Sequence, residues 1–302
     1  MSKKVLVLYY SQTGQLKDIV ENFLQPFQGL DVSIETHQLR PVNDFAFPWT
    51  EESFYDTMPE SVLAKTVALQ PFQFREKMYD LVVFAYQPWY LSLSIPANSI
   101  IQHPSVQNIL KGTAVVSLIG SRNMWLNSQE RLKNILKAAG AHLVGNIALA
   151  DRNQNHVSAL TIMHWMFTGN KTRKLGWFPL PGISNEDIQN ATTFGKTVSS
   201  FLMKDSFQGL QNQLVAQHAV DVQPNYVFIE QVAPRLFLIW ANMITKQKNR
   251  SLWLKFFKYY LLFALFVIAP IVLTVNAIFF RPFLGKKVRR QIAYYQGIDT
   301  RV

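Results

Sequence analysis

The sequence predicts an α/β protein: a doubly wound parallel five-stranded sheet with a C-terminal helical extension and a membrane segment. Three observations predict it. Five short apolar runs are each closed by a polar or glycine turn, the mark of strands buried on both faces. Helical patterns separate these runs, so strand and helix alternate as right-handed βαβ units. Near the C-terminus, Tyr259 to Phe280 is a stretch of 22 residues without a charged side chain. A helix of that length reaches across about 30 Å of hydrocarbon.

The strands read as Val5–Tyr10, Val32–Leu39, Leu81–Tyr86, Ala114–Ile119 and Leu143–Leu149. After the first, Leu16, Ile19, Val20, Phe23 and Leu24 recur at helical spacing, and Pro26 stops the helix. Phe45 to Tyr55 reads as an irregular aromatic stretch, Val62 to Leu69 as a helical piece, and Ser128 to Ala139 as a helix closed by Gly140. The sheet ends near Asp151. Residues 155–205 read as two further helices joined by the Gly/Pro-bearing loop Gly169–Gly182, suited to a lid. The expected organisation is a ligand-binding domain with its helical lid over 1–205 (core sheet 1–151) and a helical linker over 206–250. A transmembrane or re-entrant anchor over 251–285 and a basic tail over 286–302 follow. Within the linker, Leu236 to Ile244 is apolar enough to lie at an interface.

Composition narrows the function classes. Of 302 residues, 49% are hydrophobic and 16% charged, which excludes a disordered chain. The net charge is +11, but of 30 Lys+Arg and 19 Asp+Glu, eleven basic and one acidic residue (Asp299) fall from Lys246 onward. The body is therefore nearly neutral and the tail carries the charge. Basic residues bracketing an apolar segment point to membrane lipids rather than nucleic acid, which needs a basic stripe on a folded face. The absence of cysteine excludes disulfides, Cys-ligated metals and Cys nucleophiles. The six histidines show no HxH or HExxH spacing, so no metal is expected. The short apolar run after Met1-Ser2-Lys3-Lys4 is no secretory signal, which places the body on the cytoplasmic face of the inner membrane. Lys and Arg flank both ends of the anchor, so the positive-inside rule gives no orientation. A single span with a short external tail is the simpler reading. Pro270, with Thr274 and Asn276 beyond it, also allows a bent helix that re-enters the cytoplasmic face.

Chemistry concentrates in three loops at the carboxyl ends of strands, where a doubly wound sheet binds its ligand. The first strand runs into Ser11-Gln12-Thr13-Gly14-Gln15, followed by a helix. Unpaired N–H groups at a helix N-terminus favour an anion, and a glycine lets the backbone curl around it. No Lys follows Gly14, so this is no triphosphate loop, and GxGxxG is absent; a monophosphate held by neutral donors remains. The third strand ends in Gln87-Pro88-Trp89-Tyr90, and the fourth in Gly120-Ser121-Arg122-Asn123-Met124-Trp125. Trp89, Tyr90 and Trp125 offer faces for a flat heteroaromatic ring, although each singly also reads as a core aromatic. Arg122 and main-chain N–H groups suit negative charge on a reduced ring. For acid–base work, His156 follows the fifth strand onto the same rim, His164 lies two turns further on, and Tyr90 is a rival proton donor.

Val5–Leu16 resembles the phosphate loop of the flavodoxin-like superfamily, S/T-x-T-G-x-S/T, with Ser11, Thr13 and Gly14 matching and Leu16 departing from the final hydroxyl. Pro88-Trp89…Pro96 resembles the ring-binding loop of flavodoxin-like quinone and FMN reductases. The strings Tyr9–Gln15, Gln87-Pro88-Trp89 and Ser121–Trp125 together resemble bacterial proteins labelled dialkylresorcinol condensing enzyme, found with aryl polyene and dialkylresorcinol gene clusters. The resemblance implies FMN as cofactor. It implies Ser11, Gln12, Thr13, Gly14, Gln15, Pro88, Trp89, Tyr90, Gly120, Ser121, Arg122, Asn123 and Trp125 as its binding residues, with His156 and Tyr90 as candidate catalytic groups.

A condensation itself needs a Cys nucleophile that this chain lacks. The resemblance therefore implies the oxidation that follows, aromatisation of a dialkylcyclohexane-1,3-dione to a dialkylresorcinol. The substrate would be lipophilic, and a ketosynthase/acyl-carrier system would supply it. An NAD(P)H-dependent quinone reductase, a flavodoxin-like electron carrier and a tethering scaffold are the competing readings.

Overall fold

A computed structural model describes residues 2–280 and 285–300. Arg281 and Arg301, counted above with the basic flanks, lie outside the described residues. The parallel sheet is built from β1 (Lys3–Tyr9), β2 (Val32–Gln38), β3 (Leu81–Tyr86), β6 (Ala114–Ser121) and β7 (His142–Ala150). A short antiparallel pair, β4 (Pro88–Trp89) and β5 (Ser92–Leu93), projects after β3. Strand order is β2-β1-β3-β6-β7, all parallel, which is the flavodoxin-like doubly wound order with its switch point between β1 and β3. The interior strands β1 and β3 are buried almost throughout, as expected of a sheet covered on both faces.

Side-chain alternation assigns the two faces. At Gly120 an added Cβ would meet Leu16 and Ile19 of α1 (Gln15–Leu24). Ser117, three residues back and so on the other face, accepts a hydrogen bond from Gln129 of α6 (Leu126–Ala138). α8 (Asn185–Met203) packs on α1, and α9 (Leu210–Ala216) on β7. At Gly195 the two helices approach so closely that a Cβ would lie 1.9 Å from the Phe23 carbonyl oxygen. α8 is thus a sheet-covering helix and no lid, a correction of the sequence reading.

Two other segments differ from expectation, and the expected helical linker takes a definite form. The aromatic stretch folds into α2 (Glu51–Asp56), capped by Thr50 and opened by Glu51 and Glu52, and runs into α3 (Met58–Val62). Residues 63–69 are not helical: Ala64 turns at φ +54°, and Asn98, on α4 (Ile95–Ile101), binds the carbonyls of Ala64 and Lys65. The linker is mostly one helix, α10 (Pro224–Thr245).

α11 (Arg250–Phe263) continues through a π-helical turn, Ala264–Ile268, into α12 (Ala269–Val275). Pro224–Thr245 and Arg250–Val275 are each long and apolar enough to cross a membrane. A second small core joins α2, α3, α10 and α11 around Phe257, Tyr55, Met58 and Ile244. Its rim is tied by Arg250, which reaches both Asp56 and Glu60, and by the Lys258–Glu51 ion pair.

The predicted basic tail is also corrected. Gly285–Gln296 forms a helix, α13, that docks on the sheet domain. Val288, Ile292 and Tyr295 share one face at i, i+4 and i+7, and Tyr295 is buried in the main core. Tyr294 donates to Glu130 (2.6 Å), and Gln211 donates to the carbonyl of Gln296 (2.6 Å).

Candidate functional site

The three loops converge at the carboxyl edge of the sheet. Gly14 occupies the N-cap position of α1 at φ +88°, a conformation that L side chains resist. Ser11 Oγ accepts the Lys17 N–H at 3.2 Å, and Thr13 Oγ accepts that of Gln15 at 3.4 Å. The N–H groups of Thr13 and Gly14 have no partner among the described residues. Two neighbouring backbone N–H groups are thus left open at the start of a helix, a backbone nest suited to an anion.

Two expected phosphate contacts have other work. Gln12 donates to the carbonyls of Phe45 and Ala46 (3.1 Å each) and accepts from the indole of Trp49 (3.0 Å). Gln15 clasps the backbone of Ile183 from both sides at 3.1 Å. Their side chains fasten the loop to its neighbours rather than reaching an anion.

The β4–β5 pair turns at Tyr90 and Leu91, whose φ values are +48° and +60°. Such a turn normally takes Asn or Gly. Large side chains held there cost roughly 1–2 kcal/mol each and mark a place where the side chain matters. Trp89 is boxed edge-on by Phe45 (5.0 Å) and Trp49 (5.3 Å). The Tyr90 hydroxyl donates to the Phe54 carbonyl (2.6 Å), and burial holds its pKa well above the usual value. Tyr90 therefore lines the site with its proton already engaged.

The third loop supplies polarity. Ser121 Oγ, Asn123 Oδ1 and Asn155 Nδ2 are buried without a hydrogen-bond partner among the described residues. Arg122 donates to the Asn155 carbonyl (3.1 Å) and makes no ion pair among the described residues; burial pulls its pKa down, with Tyr226 and Asp151 opposing. Trp125 is buried in the sheet core and does not line the cavity, so its assignment as a ring-binding residue is corrected.

One cavity of about 510 Å³ joins these parts, within the ordinary range for small-molecule sites. Its floor holds Thr13, Trp89, Tyr90, Gly120, Arg122 and Asn123. The roof is apolar and comes from the C-terminal extension: Ile229, Val232, Leu236 and Phe237 of α10, with Leu261 of α11, Leu265 of the π-turn and Ile268 just before α12. The sequence reading named none of these roof residues; of the two helices it offered as a lid, α7 (Asn155–Thr168) does reach the cavity, where Ile162, Met163 and Met166 form a wall. Among the described residues lining the cavity, Arg122 is the sole charged group, and neither a carboxylate nor a histidine is present.

His156, expected as a catalytic base, is not on the cavity wall. Its Nε2 lies 3.1 Å from the Leu265 carbonyl and its ring packs on Phe266. The backbone explains this contact. In the π-turn the Ala269 N–H bonds Ala264, five residues back, so the next carbonyl, Leu265, would need a donor at position 270. Pro270 has none, and His156 fills the gap. His164 is partly buried on α7 and has no place on the cavity wall.

A flat, anionic heteroaromatic fits these observations: a backbone nest, aromatic walls, and orphaned polar atoms beside the partly buried Arg122 guanidinium. The strand order defines a flavodoxin-like α/β fold. No protein-family model and no curated protein matches the chain. Solved structures similar to it include a flavoprotein in complex with FMN from Lactobacillus acidophilus NCFM, 17% identical over 48% of this chain and 93% of that one, TM-score 0.39. A flavodoxin from the domain Archaea is 10% identical over 66% and 99% of the two chains, TM-score 0.36. A flavone reductase is 10% identical over 72% and 66%, TM-score 0.35. The flavin reading rests on the chain's own loops.

Proposed function

We propose that the chain is a membrane-associated, FMN-dependent oxidoreductase that aromatises a dialkylcyclohexane-1,3-dione to a dialkylresorcinol. The observation that carries this reading is the continuity of one cavity from an anion nest to an apolar roof, with Arg122 the single charged group and neither carboxylate nor histidine among the described lining residues. The loop Ser11–Gln15 would hold the phosphate of FMN through backbone N–H groups, and Trp89, Tyr90 and the Gly120–Asn123 loop its ring. When bound, FMN supplies the hydride acceptor.

The walls then have to bind and orient a substrate without removing its proton. A cyclic 1,3-dione suits them because it ionises readily in neutral water and needs no protein base. Arg122 holds the enolate's charge, and Asn155 and Ser121 offer partners for its oxygens. Loss of one hydride and one proton from the ring gives the resorcinol, which balances the step. The roof of α10, α11 and α12 takes the alkyl chains at about 0.8 kcal/mol per buried methylene.

The test is an absorption spectrum of detergent-purified protein, followed by anaerobic mixing with a dialkylcyclohexane-1,3-dione. Bound FMN that bleaches as resorcinol forms is the expected result. Colourless protein that stays free of added FMN, or FMN that bleaches with NADPH and not with the dione, overturns it.

A further inference from the structure

A second cleft lies on the far side of α10, and none of the chemistry above uses it. It encloses about 1020 Å³ between α6, α10 and α13. Four cations line it: Arg235 from α10, and Lys286, Lys287 and Arg290 from α13. None of the four has an ion-pair or hydrogen-bond partner among the described residues. The acids of the cleft face inward. Glu130 is taken by the Lys133 ammonium (3.1 Å) and the Tyr294 hydroxyl (2.6 Å). Glu230 is taken by the N–H groups of Leu126 and Asn127 at the start of α6. The cleft is thus a concave site with uncompensated positive charge.

Its surroundings specify the source of the anion. The face of α10 that lines the cavity is apolar and open at its outer edge, with Val232, Leu236 and, one turn on, Ile239 all exposed. The face of α11 and α12 is alike, with Phe263 and Ile271 exposed. Both ends of this apolar helix return to one body: Arg250 anchors the start to Asp56 and Glu60, and α13 is docked through Tyr294 and Tyr295. A segment with both flanks on one domain lies along a bilayer face rather than crossing it, which favours the re-entrant reading over the single span. The cations then sit at headgroup level, next to the surface that meets acyl chains.

We propose that the α6–α10–α13 cleft binds the phosphate headgroup of an anionic phospholipid and thereby sets the roof of the cavity against the bilayer. The site does not depend on bound flavin, so its failure and that of the flavin reading are separable.

The experiment titrates the full chain in neutral detergent with dihexanoyl phosphatidylglycerol, dihexanoyl phosphatidylcholine and inorganic phosphate, read by calorimetry. Saturable binding of the glycerol lipid is expected, at least about tenfold tighter than either of the others. The variant Arg235→Gln/Lys286→Gln/Lys287→Gln/Arg290→Gln should lose at least about tenfold. The variant Lys246→Gln/Lys248→Gln/Lys255→Gln/Arg289→Gln removes equal charge outside the cleft and should bind as the parent does. The single Arg290→Glu change, at an exposed position, gives the same direction if the quadruple variant folds poorly. Equal binding of the two lipids overturns the proposal, as does phosphate binding as tightly as lipid. Equal loss in the variant outside the cleft also overturns it, since that marks a diffuse charge effect.

Discussion

The protein has two hydrophobic cores of different make, and the cavity lies between them. The sheet core is mainly aliphatic and closed: Val5, Leu6, Val7, Leu81 and Val83 have no exposed surface. The core of α2, α3, α10 and α11 is small, largely aromatic, and rimmed by ion pairs on partly exposed side chains, which add little stability each. The first core positions the polar loops and the second holds the apolar roof over them. Stability is therefore expected to be uneven, with the roof able to open while the sheet stays intact.

The largest effect should follow from breaking the first core. Gly195→Val would drive a side chain into the Phe23 carbonyl, from which an added Cβ would stand only 1.9 Å, separating α8 from α1. The expected cost is about 4 kcal/mol or more, seen as loss of the cooperative thermal transition. Breaking the second core should act locally. Phe257→Ala empties the centre of the aromatic cluster, where Phe257 meets Phe237 and Trp240 at 5.7 Å each. About 3 kcal/mol is expected from such a truncation. It should appear as rapid proteolysis within α10 and α11 while the main melting transition hardly moves. Equal loss from both transitions would mean that the cores fold as one.

Between the cores, Gly14→Val tests the anion nest. No atom lies within 4 Å of an added Cβ, so the substitution acts through the left-handed backbone alone. A cost of about 2–3 kcal/mol in the loop, or about 100-fold weaker FMN retention, is expected with melting of the apoprotein little changed. Equilibrium dialysis of FMN gives the number.

The contrast between the cores also explains what was legible in the sequence. All five sheet strands lie within about two residues of where the sequence places them: β1 and β3, buried on both faces, carry the signal in consecutive residues, whereas the edge strand β2 has only Glu35 buried and is found between its flanking turns. The nest was legible for the same reason: Ser11, Thr13 and Gly14 are local. The roof was not, since Ile229, Leu236 and Leu265 come together only through packing of helices far apart in the chain. α13 was hidden by Lys286, Lys287, Arg289 and Arg290, although Val288, Ile292 and Tyr295 carried its apolar stripe. Trp125 illustrates the reverse error, a loop aromatic that the fold turns into the core.

The smallest predicted effect concerns His156 and decides between a chemical and a mechanical role. A general base removed from an active site costs about 10²–10⁴-fold in turnover. His156 instead supplies a donor to the Leu265 carbonyl that Pro270 leaves unpaired, tying the roof to α7. His156→Phe keeps a ring against Phe266 and removes the N–H. Turnover at saturating substrate should stay within about twofold, and the lost hydrogen bond should cost about 1 kcal/mol. That cost belongs to closure of the roof, so amide exchange of residues 264–269 should quicken about fivefold while exchange in the sheet is unchanged. A fall in turnover with unchanged exchange would restore His156 to the chemistry. Faster exchange with intact turnover makes His156 the tie between α7 and the π-turn of the roof, holding a mobile cover to a rigid sheet domain.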